Sequence, residues 1–340
     1  LNGQDVKDAA LCEAFAAVAG AQANTALSYF EFGTLAVFWL MKQAEIAVAV
    51  LEVGLGGRLD AVNAVDAHAV LITSIGLDHQ DWLGNDRESI GYEKAGIMRR
   101  ARPAICNDLA APASIAAQAE ACGAELISHG RDYSYSRAQD SWNWRGLGES
   151  LNELPCPAIT GQIYTHNAAG VLALLVRLRK QLRWKSEDFK AALRLWAVPG
   201  RAQRLNIAGR EVWLDVAHNR EAADGLSATL RDNPPKGRSV AVLAALKGKP
   251  VAQIMTALAP VVDMWQLAGL PDTARGLRKH ELVEFARASS LQWQAHDKVA
   301  QAWAEALAQT RPGDRLIVLG SFHTVQAVLE EINRKETHNG

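Results

Sequence analysis

The sequence is poor in the features that mark several classes of protein. It contains four cysteines, and their spacing includes neither a CxxC pair nor a set that could ligate a metal. Free thiols of this kind are typical of a reducing compartment, where disulfides do not persist. No apolar run is long enough to cross a membrane. We therefore expect a cytoplasmic protein with no membrane partner.

The sequence also lacks an excess of either charge. Its formal net charge is −1, and the 36 Lys and Arg residues are interspersed with the 37 Asp and Glu residues. Because nucleic acid binding relies on a concentrated basic surface, nothing in the sequence indicates a nucleic acid partner.

What the chain does have is length and a regular alternation of strands and helices. Its 340 residues are long for one hydrophobic core and fit two domains. Pro199-Gly200 interrupts the helical pattern before it, and such a pair is typical of a boundary. We predict domains at 1–198 and 203–340.

Both domains are predicted to be α/β, because apolar strands alternate with helical patterns. In the first, strands are predicted at 46–52, 68–75, 103–106 and 124–128, followed by hairpins at a sheet edge from residue 133 to 144. In the second, strands near 211–216, 239–244, 264–268 and 315–319 alternate with helices near 220–232, 251–260, 278–289, 297–309 and 322–333. This second pattern predicts a doubly wound parallel sheet.

A glycine-rich loop follows the first predicted strand. Residues 46–51 are an apolar run typical of a strand buried on both faces, and Glu52 ends it. The loop then contains Gly54, Gly56 and Gly57. Ligands of parallel α/β sheets bind at the carboxyl ends of strands, so this loop indicates a site. A tight turn beside a solvated acid explains the pattern equally well.

The next predicted strand, 68–75, leads to His79. The carboxyl ends of parallel strands meet at one edge, so Glu52 and His79 can converge there. A carboxylate and an imidazole suit a divalent ion with open coordination positions. A single histidine is more often a polar residue whose hydrogen bonds are formed within the protein. Its pairing with Glu52 makes metal binding about equally well supported.

Two further positions have a structural explanation of their own. Lys94 lies within a predicted helix among apolar residues, where a lysine commonly extends its stem over apolar surface. Glu31 stands three residues after Ser28, which is the spacing of a capping box. For Lys94, the residues alone favour a lysine that packs its stem on apolar surface. For Glu31, they support a helix cap and a ligand contact equally.

Polar residues also follow two strands of the second domain. Asp215 and His218 come at the end of one strand, and Ser321 and His323 come directly after another. Each group could cap a helix. Two such strand ends in one sheet favour an edge that faces a cleft.

Eight motifs, in one order along nearly the whole chain, give it a specific resemblance. They are SYFEFGT (28–34), LEVGLGGRLDAVN (51–63), TSIGLDH (73–79), EKAGI (93–97), NAA (167–169), PGR (199–201), DVAHN (215–219) and GSFHT (320–324). Together they resemble the folylpolyglutamate synthase/dihydrofolate synthase branch of the Mur ligase family, and most of all its bacterial bifunctional type. The resemblance implies an α/β fold, in which a Mur-ligase-like central domain of the P-loop type precedes a Rossmann-like, doubly wound C-terminal domain.

The resemblance implies a reaction in which ATP phosphorylates a substrate carboxylate and the amino group of L-glutamate attacks the acyl phosphate. The products are dihydrofolate, made from dihydropteroate, or a γ-linked glutamate on a folate such as tetrahydrofolate. By the match, Glu52 and His79 hold Mg²⁺. Lys94 matches a carbamylated lysine that provides an anionic ligand for a second metal ion. The resemblance therefore favours a metal ligand over a lysine that packs its stem on apolar surface. Lys94 and His218 are the expected catalytic residues.

The same resemblance assigns residues to the substrates. Asn167, Arg201 and Asp215 match positions that contact ATP, with Arg201 near the phosphates and Asp215 near the ribose. The residues that match the pterin site are Tyr29, Phe30, Glu31, Leu59, Asp60 and Ala61. Ser321 and His323 are the expected glutamate contacts. Members of this branch are usually monomers, and we expect a monomer here.

One departure from the family is large. The family carries a Gly-x-x-Gly-Lys-[Ser/Thr] P-loop before these motifs, and this sequence has none, since Gly248-Lys249 is followed by Pro250. The opening strand of the central domain is also missing, and the chain begins with Leu1. We therefore expect an N-terminally truncated fragment that does not turn over by itself.

Three other functions are considered. Another Mur-type amide ligase, acting on a peptidoglycan precursor, is disfavoured by the motifs at 28–34 and 320–324. A non-catalytic pterin-binding protein would keep the pterin pocket without the ATP chemistry. A nucleotide-binding dehydrogenase is unlikely, because residues 54–58 lack the Gly-x-Gly-x-x-Gly spacing.

Overall fold

Two separate units make up the chain. The structure is a computed structural model that describes residues 1–138, 140–159, 161–287 and 289–338, with side chains up to residue 334. One unit comprises residues 1–133 with 176–178, and the other comprises 134–175 with the residues from 179 onwards. The domain limits 1–198 and 203–340 remain a prediction. None of the described helices combines the length and hydrophobicity that a membrane span requires.

The first unit is built on a small parallel sheet. Its strands are β1 (Val70–Ile72), β2 (Pro103–Cys106) and β3 (Glu125–Ser128), paired in that order. Its helices are α1 (Asp8–Gln22), α2 (Tyr29–Gln43), α3 (Gln80–Leu83), α4 (Arg87–Ala95) and α5 (Ala113–Cys122), with a 3-10 helix at Ala61–Ala64. Ile72, Ile90 and Ile115 bury the contact of the sheet with α4 and α5.

The second unit contains the rest of the regular structure. Its strands are β4 (Tyr133–Arg137), β5 (Ser141–Gly146), β6 (Glu149–Pro155), β7 (Gln203–Ile207), β8 (Arg210–Leu214), β9 (Ser239–Leu243), β10 (Met264–Ala268), β11 (Trp293–His296) and β12 (Arg315–Leu319). Its helices are α6 (Gln162–Arg177), α7 (Arg179–Leu182), α8 (Ser186–Leu195), α9 (Arg220–Asp232), α10 (Val251–Leu258), α11 (Lys279–Arg287), α12 (Val299–Ala308) and α13 (Phe322–His338), with a 3-10 helix at Ala259–Val261.

A six-stranded sheet forms the centre of this unit. Its order is β11-β10-β9-β12-β8-β7, and only β7 runs antiparallel to its neighbour. Helices α9, α10 and α11 cover one face, and α12 and α13 cover the other. The prediction of an α/β fold with a doubly wound C-terminal sheet is confirmed.

The antiparallel hairpins predicted from residue 133 are present, but they do not lie at the edge of a larger sheet. Strands β4, β5 and β6 form a sheet of their own. Trp142, Trp144 and Leu154 are buried on the hydrophobic face of this sheet, and Phe189 of α8 packs against Trp142, with ring centroids 6.3 Å apart.

The strand predicted at 46–52 is not formed. Residues 46–53 have no regular secondary structure, and Val50 is 92% exposed. A strand is stable only when a neighbour pairs with its backbone, and no strand in the described ranges pairs with this segment. The apolar run predicted a buried strand, and such a strand forms only beside a partner strand. The hydrophobic pattern of one segment does not show whether that partner exists. The strand predicted at 68–75 is likewise limited to the three residues of β1.

A carboxylate at the end of β2 fixes the loop that leads to His79. Oδ2 of Asp108 accepts hydrogen bonds from the N–H of Ile75, at 2.9 Å, and from Nη2 of Arg87, at 2.8 Å. Nε of Arg87 also donates to the carbonyl oxygen of Ile75, at 2.8 Å. Asp108 was missed in the sequence, although it follows a strand in the same way as Glu52 and could have been identified by the same rule.

We expect Asp108→Asn to lower the free energy of unfolding by about 1–3 kcal/mol, because it removes a largely buried carboxylate that accepts hydrogen bonds from Ile75, Arg87 and the N–H of Ala110. The side chain of Asp108 is only 11% exposed. Asp66→Asn is the control: Asp66 also pairs with an arginine, Arg99, but its side chain is 82% exposed, and we expect a loss of about 0–1 kcal/mol. Urea unfolding measures both, and equal losses would contradict the role given to Asp108.

Candidate active site

The glycine loop after Glu52 lies against α2. A Cβ added at Gly54 would lie 2.7 Å from Cζ of Phe30, so the glycine allows this ring to rest on the loop. The N–H of Leu55 donates a hydrogen bond of 2.8 Å to Oδ2 of Asp60 and closes the loop. Phe30 and Asp60, two of the predicted pterin residues, therefore lie at the same loop.

Two other predicted pterin residues are exposed to solvent. Tyr29 is 97% exposed, and Leu59 is also exposed. Ala61 begins the 3-10 helix, in which Oδ1 of Asp60 accepts the N–H of Val62 at 2.9 Å. Each oxygen of Asp60 thus has one backbone partner and a second lone pair for a ligand. An exposed aromatic surface beside a carboxylate suits a flat ring that carries N–H groups.

The opposite side of the glycine loop lies against α3 and α4. A Cβ added at Gly56 would lie 2.8 Å from Cδ2 of Leu83 in α3. One added at Gly57 would lie 3.0 Å from the carbonyl oxygen of Lys94 in α4. His79 directly precedes α3 and has a left-handed backbone, with φ of 54°. The loop therefore touches the two helices that position His79 and Lys94.

The donors beside this loop suit a divalent cation. Glu52 and His79 are exposed, and Lys94 is partly buried. Across the described ranges, no three His, Cys, Asp or Glu side chains lie close enough together to hold a metal ion. One carboxylate and one imidazole fit a cation that takes its other ligands from phosphate oxygens and water. The assignment of Glu52, His79 and Lys94 to a metal remains a prediction.

Glu31 closes the first turn of α2. Oγ of Ser28 accepts the N–H of Glu31 at 3.3 Å, and Oε2 of Glu31 accepts the N–H of Ser28 at 2.7 Å. The hydrogen bonds with Ser28 lower the pKa of Glu31. The capping box is therefore confirmed. A contact between Glu31 and a ligand remains a prediction.

In the second unit, Asp215 follows β8 and joins two loops. Its Oδ2 accepts the N–H of Ala202 at 2.8 Å, and its Oδ1 accepts the N–H of Ala217 at 2.7 Å. Burial raises the pKa of Asp215, and the two N–H groups and the charge of Arg201 oppose this shift. Asp215 and Arg201, both predicted to contact ATP, are therefore neighbours.

Two aromatic residues adjoin this pair, and sequence reasoning missed both. Burial raises the pKa of Tyr164; the charge of Asp215 adds to the shift and that of Arg201 opposes it, so the phenol lies near both. The ring of Phe322 has its centroid 5.7 Å from Cζ of Arg201. The signal that could have found Phe322 is its position between two predicted ligand residues, Ser321 and His323.

His218 lies beside the same strand end. Its Nδ1 donates a hydrogen bond of 3.0 Å to the carbonyl oxygen of Val216, so Nε2 is the acceptor nitrogen of the neutral ring. Oδ1 of Asn219 accepts the N–H of Ala222 at 2.8 Å and caps α9. The sequence analysis offered a helix cap as one explanation of the polar residues after this strand, and that cap is present. A catalytic role for His218 remains a prediction.

Asn167, in α6, carries an acceptor that the protein does not satisfy. Its Oδ1 is buried, and no donor among the described residues reaches it. Buried polar atoms of proteins are rarely left without a partner. A ligand with an amino group would satisfy this oxygen.

Ser321 and His323 differ in their availability. Oγ of Ser321 accepts the N–H of Thr324 at 3.1 Å and lies 2.7 Å from its hydroxyl, which donates to the carbonyl oxygen of Ala244 at 2.8 Å. The hydroxyl of Ser321 is therefore used to begin α13, whereas His323 is exposed. A contact of either residue with glutamate remains a prediction.

Comparison with known proteins supports the resemblance seen in the motifs. Residues 200–322 match the family described as Mur ligase, glutamate ligase domain. The dihydrofolate synthase/folylpolyglutamate synthase of Escherichia coli strain K12 is 39% identical over 337 residues, which cover 99% of this chain and 77% of that protein.

Two solved structures have the same fold. Escherichia coli FolC in complex with DHPP and ADP has a TM-score of 0.92 and 40% identity, covering 98% of this chain and 78% of that chain. A bifunctional folylpolyglutamate synthase/dihydrofolate synthase with Mn, AMPPNP and L-glutamate bound has a TM-score of 0.87 and 37% identity, covering 97% and 78%. The family predicted from the motifs is confirmed: the chain belongs to the dihydrofolate synthase/folylpolyglutamate synthase family of Mur ligases.

Proposed function

We propose that this chain takes part in the ATP-dependent ligation of L-glutamate to dihydropteroate, and in the γ-linked addition of glutamate to folates such as tetrahydrofolate. A carboxylate oxygen of the acceptor attacks the γ-phosphorus of ATP, and ADP leaves. The amino nitrogen of glutamate then attacks the acyl carbon, and phosphate leaves as the amide forms. The observation that carries this proposal is the similarity to the Escherichia coli enzyme over 99% of the chain.

The glycine loop and α2 support a role in holding the pterin. The ring of Phe30 rests on Gly54, beside the carboxylate of Asp60. A flat pterin can stack on this ring, while its amino and ring N–H groups donate to a carboxylate. Tyr29, Leu59 and Ala61 would complete this binding surface.

The cluster at the end of β8 supports a role in holding the nucleotide. Arg201 would bind phosphate oxygens, and Asp215 would accept hydrogen bonds from the ribose hydroxyls. The unsatisfied Oδ1 of Asn167 would accept from the amino group of adenine. His323 would meet the glutamate, and His218, beside the same strand end, would take a proton from its amino group.

Glu52 and His79 would hold Mg²⁺, and a carbamate on Lys94 would add anionic oxygens for a second ion. Bound there, the ions would neutralise charge on the transferring phosphoryl group. A relative with Mn and AMPPNP bound supports the use of a divalent ion.

Two substitutions separate the roles of Ser28 and Glu31. Ser28→Ala removes the cap of α2 and is expected to lower the free energy of unfolding by about 1 kcal/mol, without changing the affinity for dihydropteroate. Glu31→Gln keeps an oxygen for the cap but removes the charge, and we expect about tenfold weaker dihydropteroate binding. Urea unfolding and calorimetry measure the two effects. Dihydropteroate binding that Glu31→Gln leaves unchanged would contradict the pterin contact of Glu31.

A non-catalytic pterin-binding protein is the second candidate, since the surface around Phe30 and Asp60 would serve it equally well. Calorimetry separates the candidates, with the chain titrated by dihydropteroate, ADP and a UDP-linked peptidoglycan precursor. The proposed function predicts binding of dihydropteroate and ADP and no binding of the UDP-linked compound. Dihydropteroate binding alone would favour the second candidate, and binding of the UDP-linked compound alone would indicate another Mur-type ligase.

A further inference from the structure

Phe322 is a large apolar side chain in an unusual place. It is the first residue of α13 and is 63% exposed, whereas Val325 and Val328 of the same helix are buried in the core. Exposure of one phenylalanine is ordinary and carries no argument by itself. The position of the ring is the informative feature, because the guanidinium of Arg201 lies over it, 5.7 Å from the centroid.

In the part of the chain that the structure describes, the guanidinium of Arg201 makes neither a hydrogen bond nor an ion pair. Besides a longer-range attraction to the charge of Asp215, its contact there is the cation–π contact with Phe322. A guanidinium has five N–H donors that match phosphate oxygens. Contact with the face of an aromatic ring leaves all five available.

The backbone of Arg201 is firmly held on both sides. The N–H of Val216 donates to the carbonyl oxygen of Gly200 at 2.9 Å. On the other side, the N–H of Ala202 donates to Oδ2 of Asp215 at 2.8 Å. The main chain on both sides of Arg201 is therefore fixed, and only the orientation of its side chain has to be set by another residue.

The backbone of Phe322 is held equally firmly. Gly320 has φ of 107°, and a Cβ there would lie 2.3 Å from the carbonyl oxygen of Ala244, so this turn requires glycine. Thr324 anchors the start of α13 to the same carbonyl oxygen, at 2.8 Å. The ring thus follows the carboxyl end of β12, and the cation precedes β7, next to the carboxyl end of β8.

We propose that Phe322 is a positioning residue, which holds the guanidinium of Arg201 by a cation–π contact so that its donors can meet a phosphate of the nucleotide. This inference rests on the proposed function, which assigns Arg201 to the nucleotide. A cation–π contact at an exposed site corresponds to about a two- to fivefold change in affinity. The same change is expected in ADP binding when the ring is lost.

Calorimetric titration with ADP tests the proposal on the full chain. Phe322→Leu keeps an apolar side chain without the aromatic face and should weaken ADP binding about two- to fivefold. Phe322→Tyr keeps the face and should bind as the wild type does. Phe285→Leu, at another exposed phenylalanine of the same unit, is the matched control and should have no effect. Urea midpoints show whether each variant is folded.

The double variant decides whether Phe322 acts through Arg201. In an Arg201→Ala background, Phe322→Leu should cause no further loss of ADP affinity. Two results would overturn the role of Phe322 while leaving the role of Arg201 intact. One is a further loss of the same size in the double variant, and the other is wild-type ADP affinity in Phe322→Leu when Arg201→Ala binds ADP weakly. Wild-type ADP affinity in Arg201→Ala would contradict the nucleotide assignment of Arg201 in the proposed function, and the role of Phe322 with it.

Discussion

The 340-residue chain is expected to form dihydrofolate from dihydropteroate, ATP and L-glutamate at least about 10³-fold more slowly than the same chain with a strand–P-loop–helix segment joined to its N-terminus. The sequence has no Gly-x-x-x-x-Gly-Lys-[Ser/Thr] motif. In a P-loop, backbone N–H groups and the lysine cradle the phosphates, and a hydroxyl binds the metal ion. Arg201, in its proposed role, would supply a single cation and would not replace this cradle.

The comparison uses incorporation of labelled glutamate, measured with and without ATP. A joined segment whose P-loop lysine is replaced by alanine is the control, and it should restore little or no activity. Rapid ATP-dependent incorporation by the 340 residues alone would contradict the need for this cradle, while it would support the ligase chemistry itself.

Lys94→Ala is expected to reduce glutamate ligation about 100-fold or more in the protein with the joined P-loop segment. The amine of Lys94 would attack the carbon of CO₂ and lose a proton, and the resulting carbamate would place negative charge next to the glycine loop. The carbonyl oxygen of Lys94 lies 3.0 Å from a Cβ added at Gly57, so the backbone of this residue is close to the loop.

The carbamate has a readout of its own. With ¹³C-labelled bicarbonate, we expect a carbamate resonance in the wild type that disappears in Lys94→Ala. Lys42→Ala, at an exposed lysine in the last turn of α2, should keep both the resonance and the ligation rate. A wild type without this resonance, or a Lys94→Ala variant that retains full activity, would show that Lys94 has only a structural role.

The comparison of sequence and structure shows what a hydrophobic pattern can predict. The strands at 264–268 and 315–319 were predicted with the correct limits, because both lie inside the six-stranded sheet and are mostly apolar. The run at 46–52 looks the same in sequence but forms no strand, because no described strand pairs with it. An apolar run shows that a segment can be buried, whereas the strand itself depends on residues elsewhere.

The two strands of the six-stranded sheet that were not predicted show the opposite case. β7 (Gln203–Ile207) and β11 (Trp293–His296) lie at the two edges of the sheet, where one side of the strand has no partner strand. Their sequences carry several polar residues, which an edge strand tolerates more readily than a strand buried on both faces. The paired backbone, and not the side-chain pattern, makes these segments strands.

Candidate site residues were predictable as strand ends and motifs, but their partners were not. The capping box of Ser28 and Glu31 could be read from a local spacing of three residues. The contact between Arg201 and Phe322 joins residues 121 positions apart in sequence (322 − 201), and it depends on the neighbouring strands β8 and β12. Such pairs emerge only when the sheet order is known.

Hydrogen–deuterium exchange of the chain with dihydropteroate and with ADP gives the decisive test of the assignment of pterin and nucleotide to different units, because it locates each ligand without requiring turnover. Dihydropteroate is predicted to slow exchange in residues 28–32 and 53–62 of the first unit. ADP is predicted to slow exchange in residues 198–203 and 214–219 of the second unit. Saturating ligands that leave these segments unchanged, or that protect each other's segments instead, would contradict this assignment.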